Sequence, residues 1–194
     1  MTYNMLWIDL ETTGLNAQEE VPLELGLKLT DEWGSQGPSK SWLIREATPY
    51  FKERLTDAQF HPIVGPMHFA SGLWNDLMDW NRTNTKAIVE EEAIHFLKAY
   101  AEPGTLPLCG NSIGSLDRPF LLQHFPMLNE AISYRNIDVS TLKELCKRLN
   151  PSLFDSVKNR VENKEEAKHR VLEDIEASIV EYKIYVDWFL NLRY

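Results

Sequence analysis

The chain has 194 residues, of which 43% are hydrophobic, and a formal net charge of −9 at pH 7. This length and composition suit one domain with a substantial core. The acidic balance argues against a protein that grips long nucleic acid, because such proteins neutralise many phosphates with a basic face, but it allows a small phosphorylated substrate. The start of the chain lacks the basic segment of a signal peptide, and no apolar run reaches the roughly 18 residues of a membrane helix.

Two cysteines, Cys109 and Cys146, lie in apolar surroundings and lack the spacing of a metal site. We expect both to be reduced core thiols, which favours a cytoplasmic protein. No repeat or low-complexity tract divides the chain.

The order of apolar patterns predicts a mixed α/β protein. Three strands open the chain, over residues 4–10, 23–29 and 41–44, and a turn at 34–39 makes the last two a hairpin. A helical pattern extends over 51–102, is clearest at 87–97, and ends at Pro103 and Gly104. The rest is predicted as a buried strand at 106–110, a helix at about 118–124, a strand at 137–139, a helix at 142–148 capped by Ser140 and Thr141, a polar loop at 150–166 and a long helix at 171–190.

Asp9 and Glu11 stand two residues apart in the first predicted strand, so their side chains point to the same face. Two acids beside Trp7, Ile8 and Leu10 repel one another and resist desolvation, and such a pair usually has a cation between its members. The alternative is an amphipathic edge strand with both acids in water.

Three further residues indicate a functional site only in combination with Asp9 and Glu11, namely Asp117, Asp174 and His169. Asp117 lies near a predicted helix start, where its alternative role is an acid that interacts with the helix dipole. Asp174 in the last helix, and His169 at the boundary between the polar loop and that helix, would each alone be surface residues. If the helix turns Asp174 toward Asp9 and Glu11, His169 overhangs the same site.

The order Asp-x-Glu, a distant Asp, then His-x4-Asp resembles the histidine-bearing branch (DEDDh) of the DEDD 3'–5' exonuclease superfamily. Within that branch the chain most resembles the oligoribonuclease family. The matching segments span nearly the whole chain in the right order, namely WIDLETTGL at 7–15, HFASGL at 68–73, CGNSIG at 109–114, YRNIDVSTLKEL at 134–145 and HRVLED at 169–174. Three departures stand out: one residue more than usual precedes Asp117, Ser133 replaces a common His, and Val171 replaces a usual Ala.

The resemblance implies a ribonuclease-H-like fold, with a mixed sheet flanked by helices, an exonuclease domain over 1–194, and usually a homodimer. It implies that Asp9, Glu11, Asp117 and Asp174 hold two divalent cations, Mg²⁺ or Mn²⁺, with Asp9 bridging both. Oxygen ligands suit these ions, and two of them can hold the attacking and leaving oxygens of a phosphodiester cleavage. His169 is the expected general base, because an imidazole with a pKa near about 6.5 suits that task around neutral pH.

The expected substrate-binding residues rest on the same resemblance. Leu15 matches an apolar wedge against the terminal bases, and its alternative is a plain core leucine. Matches to a cap on the 5'-phosphate are Ser112, Arg135, Ser140 and Thr141, whose alternatives are helix capping for the last two and a surface ion pair for Arg135. Tyr134 matches a residue that the dimer partner contributes, and His68 matches a further substrate-side residue or, alternatively, a helix-start histidine with no ligand.

These expectations favour a metal-dependent 3'-to-5' exoribonuclease that degrades short single-stranded RNA, down to dinucleotides, to 5'-mononucleotides. One alternative keeps the active site and changes the substrate, giving a single-strand DNA exonuclease of the proofreading or repair type. Another is a catalytically silent nucleotide-binding module, and the complete set of four acids and a histidine speaks against it.

Overall fold

The computed structural model describes residues 3–45, 49–162 and 169–191. Its strands are β1 (Met5–Thr12), β2 (Pro22–Thr30), β3 (Ser39–Arg45), β4 (Thr83–Thr85), β5 (Leu108–Gly110) and β6 (Asn136–Asp138). Its helices are α1 (Pro49–Phe60), α2 (Val64–Ala70), α3 (Leu73–Met78), α4 (Lys86–Lys98), α5 (Asp117–His124), α6 (Pro126–Glu130), α7 (Val139–Leu149), α8 (Pro151–Glu162) and α9 (Val171–Leu190). Within the described residues, no helix combines the length and the apolar character needed to cross a bilayer.

The six strands form one mixed sheet in the order β4-β3-β2-β1-β5-β6. β1 pairs antiparallel with β2 and parallel with β5, so it lies in the interior of the sheet. The predicted hairpin is confirmed, since β2 and β3 pair antiparallel. The alternative in which Asp9 and Glu11 occupy an edge strand is wrong.

Alternation along β1 divides the core into two layers. Leu6, Ile8 and Leu10 point to one face, where α4, α5 and α6 pack through residues such as Phe120. Trp7 points to the other face, beneath α7, α8 and α9, and its indole Nε1 donates to Thr30 Oγ1 at 2.8 Å. Asp9 and Glu11 share the face of Trp7, so the acids lie under the layer that contains α9.

The predicted helical stretch over 51–102 is interrupted by β4. Thr83–Thr85 pairs in parallel with β3 at the edge of the sheet, which the polar sequence Arg-Thr-Asn-Thr does not suggest. The Thr85 side chain then accepts from the Ile88 backbone amide and caps α4, the helix that the sequence predicts most clearly.

The predicted polar loop at 150–166 is wrong for residues 151–162, which form α8, whereas 163–166 fall outside the described residues. Pro151 suits the first turn of a helix, where no backbone donor is needed. Val157 is buried, and Leu153 and Phe154 pack with it against the cluster that contains Trp7 and α9. Their helical spacing was hidden by the polar residues between them.

The predicted cap on α7 is also wrong. Asp138, not Ser140 or Thr141, is the capping residue, and its Oδ1 accepts from the Ser140 amide at 3.0 Å. Helix α7 therefore begins at Val139, three residues earlier than predicted, and β6 ends one residue earlier. Cys109 and Cys146 are both free and buried, as expected.

Candidate active site

Strand β1 places Asp9 and Glu11 on one face, and the first turn of α9 brings Asp174 against them. One carboxylate oxygen from each of the three residues lies within 4.8 Å of the others. Glu11 is buried, and Asp9 and Asp174 are half-buried. Three oxygen donors this close suit a hard cation such as Mg²⁺ or Mn²⁺.

A glycine on β2 allows α9 to approach the acids. Gly26 pairs with Asp9 across the two strands. A Cβ atom at Gly26 would lie only 2.6 Å from the Cβ atom of Val171, the first residue of α9. The absence of a side chain at residue 26 thus lets the start of α9 rest directly on the sheet, and Asp174 follows one turn later.

Asp117 is the first residue of α5 and is only 1% exposed. Its Oδ1 is buried without a hydrogen-bond partner in the described part of the chain. Its charge adds to the effect of burial in raising the pKa of Asp9, although Asp117 is not among the residues that line the cavity described below. The extra residue before Asp117 lies in a turn in which the amides of Ser115 and Leu116 both donate to the Ser112 carbonyl.

The four carboxyl groups oppose one another's ionisation. Burial raises the pKa of Glu11 to about 8, and the charges of Asp174 and Glu24 add to the effect. Burial likewise raises the pKa of Asp117 to about 8. The pKa values of Asp9 and Asp174 are also raised, first by burial, and for Asp9 then by Asp117 and Glu11. A bound cation would offset both the cost of burying these charged carboxylates and the repulsion between them, so the arrangement favours cation binding.

His169 lies just before α9 and lines one cavity together with Asp9 and Asp174. Its backbone φ is +39°, a left-handed conformation that is uncommon outside glycine. The charge of a protonated His169 lowers the pKa of Asp174, so the two side chains are near one another. The histidine therefore overhangs the acidic cluster, as the sequence suggested.

Arg170 anchors the chain immediately after His169. Its Nε and Nη2 donate to the two oxygens of Glu24 at 2.8 and 3.1 Å, and its Nη1 donates to Asp76 at 2.8 Å. Asp76 also pairs with Arg82. Glu24 is 3% exposed and pairs with Glu11 across β1 and β2, so Arg170 neutralises a fifth acid beside the site.

His68 lies in the last turn of α2, not at a helix start, and its side chain is fully buried. Its Nε2 lies 2.9 Å from the Thr12 carbonyl oxygen, and its Nδ1 lies 3.6 Å from Glu11 Oε2. The histidine thus contacts the strand that carries the acids. Burial lowers the pKa of its imidazole.

Apart from the buried His68, the predicted substrate-binding residues fall into two groups. Ser112 and Ser140 line the cavity with Asp9 and His169, and their hydroxyl oxygens are 3.4 Å apart. The others lie outside that lining and are exposed, namely Leu15, Tyr134, Arg135 and Thr141. Leu15 is 81% exposed, so the alternative of a core leucine is wrong.

Sequence reasoning missed several polar residues at the site: Glu24, Arg170, Asn111, Lys143, Ser178 and Glu181. The last four line the cavity, and Asn111 Nδ2 donates to both Ser178 and Glu181. The spacing of Asp174, Ser178 and Glu181 along one helix face was the available signal, since residues three and four apart are neighbours on a helix.

Relatives with known names resemble this chain over nearly its full length, although no protein-family model matches it. It is 36% identical to the oligoribonuclease of Marinobacter nauticus over 191 residues, which cover 97% of each chain. It is 34% identical to that of Colwellia psychrerythraea, again over 97% of each chain. The oligoribonuclease of Legionella pneumophila is 36% identical over 97% of this chain and 94% of its own.

Solved structures share the fold. Exonuclease I of E. coli, in a complex with single-stranded DNA, superposes with a TM-score of 0.67 at 14% identity, and exonuclease I of Methylocaldum szegediense with 0.62 at 17%. These matches cover 98% of this chain but only 43% of each of the two exonuclease I chains. The expected ribonuclease-H-like fold is therefore confirmed, and the sequence identities show that the chain belongs to the oligoribonuclease family.

Proposed function

We propose that this protein is a metal-dependent 3'-to-5' exoribonuclease that hydrolyses short single-stranded oligoribonucleotides, down to dinucleotides, to 5'-mononucleotides. The observation that carries the proposal is a cavity of about 540 Å³ in which Asp9, His169 and Asp174 meet the hydroxyls of Ser112 and Ser140. Family membership at 32–36% identity supports the same activity.

Two divalent cations, Mg²⁺ or Mn²⁺, are proposed as cofactors. The proposed ligands are Asp9, Glu11, Asp117 and Asp174. The buried Asp117 Oδ1 has no hydrogen-bond partner among the described residues, which suits an oxygen that coordinates a cation. Bound ions of this kind stabilise the negative charge that develops on the attacking and leaving oxygens of a phosphodiester.

The chain's own groups then supply positioning and proton transfer. His169 is proposed to take a proton from the attacking water as the water oxygen bonds to phosphorus. The bond from phosphorus to the 3'-oxygen breaks, and that oxygen takes up a proton. The products are a 5'-mononucleotide and a shortened chain. Leu15, exposed just past β1, is available for contact with the terminal bases, and His68 supports the site through Glu11.

Short substrates are favoured on two grounds. A net charge of −9 would repel a long strand beyond the site, whereas a dinucleotide would not extend that far. The cavity volume lies within the range of small-ligand pockets, which is roughly 300–1,000 Å³. Ser112, Arg135, Ser140 and Thr141 are proposed to close the site around the 5'-phosphate.

A homodimer and a cytoplasmic location are further parts of the proposal. Tyr134 is 81% exposed, which leaves its ring available to the site of a second copy. Both cysteines are free and buried, as a reducing compartment would keep them. Residues 1–194 are taken as one exonuclease domain.

A length-resolved assay tests the function. The purified protein is given a labelled RNA dinucleotide and, separately, a DNA 20-mer, each with Mn²⁺ and with EDTA. We expect rapid cleavage of the dinucleotide with Mn²⁺ only. Faster cleavage of the DNA 20-mer would instead identify a general single-strand DNA exonuclease, and no cleavage of either substrate would identify a silent binding module.

A further inference from the structure

His169 reaches the acidic cluster through an unusual backbone turn. Its φ is +39°, and the next residue, Arg170, is extended, with φ −133° and ψ 135°. A left-handed residue other than glycine persists only where the surrounding structure fixes it. Since the imidazole extends from this turn, the contacts that fix the turn also fix the position of the proposed general base.

The Arg170 side chain joins this turn to two other elements. Its Nε and Nη2 donate to the two oxygens of Glu24 on β2, at 2.8 and 3.1 Å, and its Nη1 donates to Asp76 on α3 at 2.8 Å. All three side chains are largely shielded from water, with exposed fractions of 20% for Arg170, 3% for Glu24 and 19% for Asp76. A planar guanidinium that makes several shielded hydrogen bonds has little freedom to move, so it fixes the residue that carries it.

The backbone of Arg170 links the turn to α9. Its carbonyl oxygen accepts from the Asp174 amide at 3.0 Å, which is the first hydrogen bond of the helix. Arg170 occupies the N-cap position, but its side chain makes no capping hydrogen bond, and arginine is not among the residues preferred there. Helix capping therefore does not account for an arginine at residue 170, whereas its bonds to Glu24 and Asp76 do.

Arg170 lies beside the cavity of the acidic cluster but is not part of its lining. Asp9, His169 and Asp174 line that cavity, whereas Arg170 lines a separate one that includes Asn84. Two routes then remain by which Arg170 can influence a substrate bound at the acids. One is the charge of its guanidinium, and the other is the position of His169.

We propose that Arg170 is a positioning residue for His169. Its bonds to Glu24 and Asp76 hold the turn that directs the imidazole over the acidic cluster. Turnover then depends on the fork geometry of the guanidinium, and not only on its positive charge. This inference rests on the proposed function, in which His169 is the general base.

Arg170→Lys separates geometry from charge. A lysine keeps the positive charge opposite Glu24 but lacks the planar fork that reaches both acids. The matched control is Arg82→Lys, because Arg82 also pairs with Asp76 but its side chain is 52% exposed. Each substitution is made in the parent and in His169→Ala, and kcat and KM are measured on an RNA dinucleotide with Mn²⁺.

We expect Arg170→Lys to reduce kcat in the parent by roughly ten- to hundredfold, with little change in KM, because a misplacement of about 1 Å acts on that scale. In His169→Ala the same substitution should cause no further loss, since a residue that acts through His169 has nothing left to position. The control should leave kcat unchanged in both backgrounds. Equal losses from Arg170→Lys in the two backgrounds would overturn the proposal, and so would parental kcat in Arg170→Lys.

A second variant guards against a general loss of structure. Arg170→Gln combined with Glu24→Gln removes both charges, so no buried acid is left unpaired. It should show the same dependence on His169 as Arg170→Lys, and its stability is followed by thermal unfolding. An equal loss of kcat with and without the imidazole would again contradict a positioning role.

Failure of the proposed function gives a different result. A parent protein that cleaves no dinucleotide refutes the exoribonuclease assignment, and the position of His169 is then followed by NMR of the histidine side chains. The His169 resonance is identified by its absence in His169→Ala, and it should shift in Arg170→Lys but not in Arg82→Lys. An unchanged His169 resonance in Arg170→Lys would overturn the proposal whether or not the protein is a nuclease.

Discussion

Asp9 is the acid of the cluster whose charge is expected to affect both cation binding and the repulsion between carboxylates most strongly. Its carboxylate is near those of Glu11 and Asp174, and its pKa is raised first by burial and then by the charges of Asp117, Glu11 and Asp174. A cation relieves this repulsion, and without one the same repulsion destabilises the folded chain. One substitution can therefore separate the catalytic role of the residue from its cost to the fold.

Asp9→Asn should abolish hydrolysis of an RNA dinucleotide and raise the melting temperature of the metal-free protein. The amide keeps the shape of the side chain but removes a ligand charge and the repulsion that this charge causes. Hydrolysis with Mn²⁺ and thermal unfolding in EDTA measure the two effects. Asp187→Asn, which changes an exposed acid on α9, is the control and should change neither. Substantial activity in Asp9→Asn would contradict the assignment of Asp9 as a metal ligand.

His169→Ala should fold normally, keep its affinity for Mn²⁺, and lose roughly 10²–10⁴-fold in turnover, the usual scale for a general base. Turnover measured under saturating dinucleotide, beside calorimetric titration with Mn²⁺, separates the two properties. A loss of metal affinity with turnover intact would make His169 a ligand and contradict its proposed role.

The residues that we propose for the chemistry could be singled out in the sequence because their types and order are distinctive. Asp9, Glu11, Asp117, His169 and Asp174 form a set that few other functions require. Glu24, Arg170 and Glu181 could not be found in this way, because a single acid or arginine in a sequence carries no sign of burial. Their importance comes from the pairing of β1 with β2 and from the packing of α9, which only the folded chain shows.

At the scale of elements, the approach of α9 to β2 decides whether the site forms. Gly26→Ala adds a methyl group 2.6 Å from the Val171 Cβ atom and 3.2 Å from Ile175 Cδ1, so the helix must shift and carry Asp174 away from Asp9. We expect a loss of turnover of roughly a hundredfold, the scale on which a misplacement of about 1 Å acts. The sheet should persist in the circular dichroism spectrum.

The control for Gly26→Ala is Ser41→Ala. Ser41 pairs with Gly26 from β3 and points to the same face, but its replacement adds no bulk. It should retain parental turnover. Full activity in Gly26→Ala would show that the start of α9 tolerates displacement, and that the close packing seen at residue 26 does not set the position of Asp174.

The ion pair between Arg170 and Glu24 predicts a stability effect. Arg170→Ala leaves Glu24 buried with an uncompensated charge, which costs about 3–5 kcal/mol in comparable cases. Urea unfolding of the metal-free protein measures this loss of stability. The double variant Arg170→Ala/Glu24→Gln should recover part of the lost stability. Arg148→Ala, which breaks an exposed pair with Glu144, should have little effect. Similar stability in all three variants would contradict a structural role for Arg170.

The elements that sequence patterns failed to predict share a physical cause. β4 is three polar residues long, and its strand conformation depends on hydrogen bonds to β3. Helix α8 buries a narrow apolar stripe against other elements, so its helical form depends on tertiary packing more than on composition. By contrast, β2 and α9 have long periodic patterns, and their predicted bounds, 23–29 and 171–190, lie close to the observed ones, while α4 covers the clearest part of the predicted helical stretch.

At the scale of the whole molecule, the metal-free protein should lose stability as pH rises from about 4.5 to about 8. Glu11 has an ordinary pKa of 4.5, and in the folded state this pKa is raised to about 8. The folded state therefore binds more protons than the unfolded state in this window, so deprotonation favours unfolding. The stability that the protonated group contributes is fully present below about pH 4.5 and is lost as pH passes through about 8.

Urea unfolding across this pH range, in EDTA and with saturating Mn²⁺, provides the measurement. Bound cation should remove most of the slope, since it replaces protons as the countercharge. The Asp9→Asn protein should also show a shallower slope in EDTA. A metal-free protein whose stability rises between pH 5 and 8 would contradict the raised pKa values.

The position of the proposed catalytic residues along the chain has a consequence for protein synthesis. Asp9 and Glu11 leave the ribosome first, whereas His169 and Asp174 emerge only with α9, after the whole sheet has been made. A chain cut short before α9 contains three of the four acids but cannot assemble the cluster, and it also leaves Trp7 and its neighbours uncovered. An unfinished copy is therefore expected to be inactive toward short RNA.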